Sequence, residues 1–395
     1  MAIFHIFNPE NDLALAFGGE NYTAPPLAAQ MKRDLRMLPL WLCTDGDAVI
    51  AESPTEVDWL NRTAAVFGLD ASAVIPAQLP QFRHCSYQPW GWSRHIRRQL
   101  LNLGANESDL PSASTIDRIR ALSHRRISIA IHNRLNQLLA ADFSPVPVEL
   151  CDFSSVVSFA TANPACYLKA PWSGSGHGIF RVYDVKALDF IGWCKGILRR
   201  QGSVLCEPAL PPIMDFAMEF LCADGKAHFC GYSVFSNDRH DSFDTGKVLP
   251  SAALHSLISS ALGDESLLIS VRQAMEQTLT ELVAPSYSGY LGVDMLTYSS
   301  TDDSTRLNPC IELNLRCTMG VLTSIFGDRF LAEGSSGTFR VEYHKLPFSV
   351  ADYAASMMAA KPLSLSDHKI VSGVQFLAPV RPDSRYCAYI DVAAD

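Results

Sequence analysis

Residues 311–316 read Ile-Glu-Leu-Asn-Leu-Arg. Successive side chains of a strand point to opposite faces. Glu312, Asn314 and Arg316 therefore share one face, and Ile311, Leu313 and Leu315 the other. A carboxylate and an amide oxygen are a donor pair suited to magnesium, a hard cation that takes oxygen ligands. Upstream, Asp294 stands among apolar residues in LGVDMLTY. If 291–298 and 309–316 pair as a hairpin through the polar loop SSTDDSTRLN, the midpoint of 294 and 312 is 303, inside that loop. Asp294 then lies opposite Glu312, and three oxygen donors converge. The competing reading is an edge strand whose polar face meets water.

A second grouping is YLKAPWSGSGHGIFRVY, residues 167–183. Its two ends read as strands. Between them Ser173, Gly174, Ser175, Gly176, His177 and Gly178 form a loop whose backbone N–H groups can surround phosphate oxygens. Lys169 enters that loop as a point charge suited to phosphate. The loop lacks the G-K-[ST] ending of a Walker motif, and a strand follows it instead of a helix. Gly and Ser also dominate ordinary turns, so a hairpin turn with a surface lysine is the plainer alternative.

The elements that must position these residues follow from pattern. Residues 2–7 read as a buried strand, and Ser53-Pro54-Thr55-Glu56 is a capping box opening a helix that ends at Gly68. A strand at 73–75 and a helix over 92–103 complete a small open α/β domain over 1–110. Helical spacing occupies 115–141. Strands are predicted at 166–170, 178–183 and 203–207. A hairpin about Asp224-Gly225 joins 216–222 to 227–235. A helix over 265–283 precedes the two acidic strands. Three segments result: 1–110, 111–335 and a mixed terminal segment 336–395.

Composition limits the function classes. Of 395 residues 48% are hydrophobic and 18% charged, a globular profile long enough for two or three domains. The net charge is −9, and the densest basic cluster, Arg118 to Arg126, reads as one helical region. No nucleic-acid partner is expected. No stretch reaches the ~20 apolar residues of a membrane span, and the N-terminus does not read as a signal peptide. The 11 cysteines are odd in number and contain no C-x-x-C, which argues against a disulfide framework and a thiolate zinc site. A cytoplasmic protein is expected.

In the order of these patches the chain resembles the ATP-grasp superfamily, over about 110–335. YLKAPWSGSGHGIFRV resembles its phosphate-binding lysine and flexible loop, and VLCEPAL its adenine-holding connector. GVDML and IELNLRCTMG resemble its paired metal strands. The resemblance implies an N-terminal open α/β domain of the pre-ATP-grasp kind, then an ATP-grasp fold with mixed and antiparallel sheets. It implies that Lys169 contacts the α- or β-phosphate and that the loop Ser173 to Gly178 closes over the phosphates. Glu207 would begin the adenine connector, completed near Leu210, and Asp215 would hold the ribose. Asp294, Glu312 and Asn314 would hold magnesium, with manganese as an alternative. The family's second lysine is replaced in LSHRRISIAI by Arg125 or Arg126. Gly292 stands where some ligases carry an arginine, which leaves Arg316 as the cation for an acyl-phosphate and oxyanion. The plainer role for Arg316 is a salt bridge to Glu312.

The implied activity is an ATP-dependent ligase that joins a small-molecule or peptide carboxylate to an amine-type acceptor. A kinase on the same fold, or a nucleotide-binding protein without turnover, are the alternatives. Substrate candidates are Asn8, Glu10 and Asn11 in the NPENDLAL turn and Arg239 in SVFSNDRHDSFDTG. A capped turn and a solvated loop are the respective alternatives.

Overall fold

The computed structural model describes residues 2–82, 84–174, 178–237, 243–346 and 348–394. The predicted loop residues Ser175, Gly176 and His177, and Arg239, lie outside the described residues. The chain divides into two compact units. The first comprises Met1–Asp117, Asp244–Leu254 and Arg316–Asp395, and the second Arg118–Phe243 and His255–Leu315.

The first unit contains a parallel sheet in the order Ala71–Val74, Asp47–Ile50, Ile3–Ile6, Ser86–Pro89. The N-cap half of the predicted box forms: Ser53 accepts from the Glu56 N–H, while the Glu56 carboxylate accepts from the Glu52 N–H at 2.7 Å; the helix runs Pro54–Phe67, and Gly68 closes it in the left-handed region. The next helix, Arg94–Asn102, is capped by Ser93. His5 is buried in the first strand, with its Nε2 3.3 Å from Asp47 Oδ2. Burial pushes the Asp47 carboxyl up, but hydrogen bonds from His5, Thr44 and the Ile3 N–H outweigh it and hold the group at about 2. The nearby Cys43 thiol donates to the Pro39 carbonyl at 3.4 Å. This polar cluster is satisfied by its own hydrogen bonds.

The same unit holds the antiparallel strands Phe243–Val248, Ser335–Tyr343, Tyr386–Ala394, Lys369–Phe376 and Ser364–Ser366, paired in that order. Residues 336–395 thus group with 1–117. The physical cause is a set of long-range polar ties. The buried Asp34 carboxylate accepts from the backbone N–H of Arg385 at 2.8 Å, that of Tyr386 at 3.1 Å, and Arg381 Nη2 at 3.0 Å. Trp41 donates to the Leu377 carbonyl at 2.9 Å and packs its ring against Phe67, Phe326 and Phe330.

The second unit contains a small antiparallel sheet, Val148–Leu150, Val204–Pro208, Cys166–Lys169, Ile179–Val182. The helices Phe153–Ala162 and Leu188–Gln201 cover it through Val156, Phe190 and Cys194. Its other sheet runs Thr305–Asn314, Gly289–Ser299, Pro212–Ala223, Lys226–Asn237. The turn Asp224-Gly225 has φ of 50° and 73°. Two positive φ values are what a tight hairpin turn matching strand twist requires. The helical stretch 115–141 is broken: helices span Ala113–Leu122 and Ile127–Leu139. The break delivers Arg125 to the candidate site.

Candidate active site

The acidic hairpin has the register predicted from the loop midpoint. Asp294 pairs with Glu312, and Gly292 with Asn314. Leu313, between them, is buried opposite Val293. Asn314 donates its amide N–H to Asp294 Oδ2 at 2.9 Å. Glu312 receives Arg125, whose Nη2 lies 2.9 Å from each carboxylate oxygen. The Arg125 side chain is only 4% exposed, against 19% for Glu312. Its Nη1 also donates to the Ala170 carbonyl at 2.7 Å and to Ser173 Oγ. Its own N–H donates to Pro171 at 2.9 Å. Arg126 turns elsewhere: its half-exposed side chain lies 3.5 Å from Glu149. Of the two arginines left open by the sequence, Arg125 reaches the acidic hairpin.

Lys169 and Glu207 meet across the small sheet. Lys169 pairs in register with Leu205, which puts Glu207 one diagonal step away on the same face. Lys169 Nζ lies 2.5 Å from Glu207 Oε1. Ala170 N–H closes the base of the glycine loop on the Gly178 carbonyl at 2.8 Å. A Cβ at Gly178 would lie 2.0 Å from Ser173 Oγ, so this position takes no side chain while Ser173 stays in place. Trp172 anchors the loop's leading edge. Its backbone exchanges hydrogen bonds with Gln201 at 2.8 and 3.1 Å, and its indole donates to Arg120 at 2.9 Å. Gly174 follows, half-buried. Leu210 lies just past the Val204–Pro208 strand, and Asp215 sits half-buried in Pro212–Ala223 opposite Leu296.

One residue of this site escaped the sequence reading. Cys310 is fully buried, and burial pushes its thiol up. Asp294 and Glu312 push the same way while Lys169 opposes them, so the acids and the lysine act on one buried atom. Its place two residues before Glu312, on the same strand, was the available signal.

In the first unit Arg316 pairs with Asp12, Nε to Oδ2, at 2.8 Å and donates to the Cys317 carbonyl at 3.2 Å. The Glu312 pairing suggested by the sequence is replaced by that of Arg125. Asn8, Glu10 and Asn11 are all buried. Asn8 exchanges two hydrogen bonds with the Gly91 backbone, at 2.9 and 3.2 Å. A Cβ at Gly91 would meet the Asn11 amide at 2.3 Å, so the turn and residue 91 approach without room for a side chain. Glu10 takes Lys32 at 2.6 Å through one oxygen, while its other oxygen is buried with no hydrogen bond among the described residues.

No family model and no curated protein sequence matches the chain. Solved structures do. A biotin carboxylase–βγ-ATP complex from Campylobacter jejuni is 12% identical, covers 100% of this chain and 87% of its own, and superposes with a TM-score of 0.52. A Rhizobium etli pyruvate carboxylase with acetyl coenzyme A is 12% identical over 100% of this chain and 36% of its own, with a TM-score of 0.50. An N5-carboxyaminoimidazole synthetase from Staphylococcus aureus complexed with ADP is 12% identical over 100% of this chain and 93% of its own, with a TM-score of 0.49. The first two carry the likeness, and at such identity it is one of fold. The chain has the ATP-grasp fold. The mixed α/β architecture expected from the sequence is the one observed. Among the described residues no helix is long and apolar enough to cross a membrane.

One residue beside the site is expected to give the protein's stability a pH dependence. His124, adjacent to Arg125, is buried with its ring 4.5 Å from that of Trp172. Burial, followed by the Arg126 charge, lowers its pKa from 6.5 to about 4. Between those values the unfolded chain holds a proton that the folded chain does not. Its stabilising contribution is complete above 6.5 and is lost as the pH falls toward 4. The loss expected is about 3 kcal/mol. Denaturant unfolding of wild type and His124→Phe at pH 7.5 and pH 4 (about those values, to bracket the window) should show a smaller drop in the variant. Equal drops would remove His124 as the cause.

Proposed function

We propose that the second unit binds ATP with magnesium and that the protein is a ligase activating a carboxylate as its acyl-phosphate. The observation that carries this is the registered pair Asp294–Glu312 with Arg125 bridging Glu312 to the base of the glycine loop. Asp294, Glu312 and Asn314 offer the oxygen donors a magnesium or manganese ion takes. Such an ion would supply charge for the transferring phosphoryl group. Lys169 and Arg125 are assigned to phosphate, and the loop Ser173 to Gly178 to covering it. Glu207 and Leu210 are assigned to adenine and Asp215 to ribose. The biotin carboxylase with the similar fold was solved with βγ-ATP, which supports a nucleotide here.

The substrate carboxylate oxygen attacks the γ-phosphorus and ADP leaves. The amine nitrogen then attacks the acyl carbon and phosphate leaves, with one proton lost from nitrogen. Lys169 and Arg125 hold phosphate oxygens through the first step. Arg316, two residues past Asn314 in the chain, is assigned to the oxyanion of the second. Among Asn8, Glu10 and Asn11, Glu10 is the strongest candidate for an amine-bearing substrate, because its second oxygen is buried without a hydrogen bond among the described residues, while Arg239 remains the candidate for an anionic one. Asn8 is already engaged by the Gly91 backbone.

The test is ADP release across a panel of amino acids and short peptides, with and without hydroxylamine. A carboxylate activated as acyl-phosphate gives a hydroxamate, and Lys169→Ala should lose both ADP release and most ATP affinity. ADP release that depends on a hydroxyl compound and gives no hydroxamate would replace the ligase by a kinase. Unchanged ATP affinity in folded Lys169→Ala would remove Lys169 from the site.

A further inference from the structure

We infer that Arg125 is an internal cation occupying the metal ligand Glu312, so that a divalent metal enters this site only together with nucleotide. The inference rests on the proposed ATP site. Its basis is the way the acids of the site are already compensated. Arg125 Nη2 lies 2.9 Å from both oxygens of Glu312. Lys169 lies 2.5 Å from Glu207. The Asn314 amide N–H is spent on Asp294 at 2.9 Å. Two cations and an amide donor therefore sit on three carboxylates.

A bare dication reaching Glu312 must displace a guanidinium that is 4% exposed. Displaced without a new partner, that charge would be left buried and unpaired, which is strongly unfavourable. A triphosphate changes the balance. It offers Arg125 a multiply charged acceptor whose paired oxygens suit the planar guanidinium fork. Nη1 already donates to Ala170 and Ser173, so the guanidinium lies at the base of the loop assigned to phosphate. As Arg125 transfers to phosphate, Glu312 is released to the metal, which also prefers phosphate oxygens to an all-protein cage. Arg125 thereby couples two binding events, and the coupling is reciprocal: metal raises nucleotide affinity by the factor by which nucleotide raises metal affinity. A lysine at this position would hold Glu312 as a point charge. The arginine holds both oxygens while keeping a second nitrogen on the loop.

Mn2+ serves as the probe, titrated by electron paramagnetic resonance into the full chain with and without β,γ-methylene-ATP. The wild type should bind Mn2+ about 100-fold more tightly with nucleotide than without. Arg125→Met should shrink that ratio to about 10-fold or less, chiefly by tightening Mn2+ binding in the absence of nucleotide. It should also weaken the nucleotide. Arg125→Lys keeps the charge and should keep most of the suppression, which supplies a reading if the methionine variant does not fold. Wild-type Mn2+ affinity that is the same with and without nucleotide would overturn the inference, and so would an Arg125→Met affinity no tighter than wild type while Mn2+ and nucleotide still bind together. A wild type that binds neither probe in any combination would overturn the proposed ATP site itself.

Discussion

Glu312→Gln is expected to lower ATP turnover by at least about 10²-fold and to cost the protein about 1–3 kcal/mol of stability. The two effects have separate causes. Turnover falls because one of the three proposed oxygen ligands becomes a neutral amide, a much poorer partner for a dication. Stability falls because Glu312 is the carboxylate partner of Arg125, whose side chain is almost wholly buried. The pattern read from sequence, three crowded oxygens awaiting a cation, favours the opposite outcome for stability, a neutral or slightly stabilising change. The guanidinium already present reverses that sign. Metal-free ATP affinity should hold or rise, since Arg125 no longer has a competing carboxylate. Denaturant melts, ADP release and equilibrium ATP binding measured with excess chelator check the three parts. Full activity in the variant would remove Glu312 from the metal site.

The largest stability loss is expected one residue along the same strand. Leu313 is 5% exposed and pairs in register with Val293. An aspartate there places a carboxylate on the face that packs into the core, with no partner of opposite charge on that strand position. The cost should exceed about 4 kcal/mol, enough to leave much of the chain unfolded at room temperature. Circular dichroism and solubility at fixed expression level are the measurements. A soluble, folded Leu313→Asp protein with normal ATP binding would mean that the faces of this strand are assigned the wrong way round. The neighbouring pair of variants thus tests alternation directly: charge loss on one face damages function first, and charge gain on the other damages the fold first.

Much of this site was legible because its logic is local. Alternation across Ile311 to Leu315 assigns both faces from five letters. The Asp294–Glu312 register follows from the position of a polar loop. Ser53 and Glu56, or Asp224 and Gly225, announce their own turns. What the sequence did not show is long-range pairing. Arg125 meets Glu312 across 187 positions, and Arg316 meets Asp12 across 304. Nothing in the neighbourhood of either arginine distinguishes one carboxylate from another. The choice between Arg125 and Arg126 also needed the three-dimensional break between two helices, since both residues lie in one basic run. The C-terminal strands were unreadable in placement for the same reason: Asp34 selects them through backbone N–H groups, which every residue but proline carries.

The segmented make-up of the first unit has a consequence during synthesis. Its parallel sheet is translated early, yet Asp34 finds its donors at Arg381, Arg385 and Tyr386, and Trp41 its acceptor at Leu377. Until the ribosome has delivered those last residues, the early sheet lacks partners for a buried acid and a large indole. The second unit runs from Arg118 to Leu315 with a single excursion at 244–254, so it can close its core before residues 316–395 are made. The unit bearing Asp294, Glu312 and Lys169 is therefore complete in the nascent chain before the first unit, which still lacks its segment from Arg316 onward. Slowing the final stretch of translation, for instance with rare codons over 340–376, should increase the dependence of yield on holdase chaperones, whereas the same codons placed over 255–290 should not.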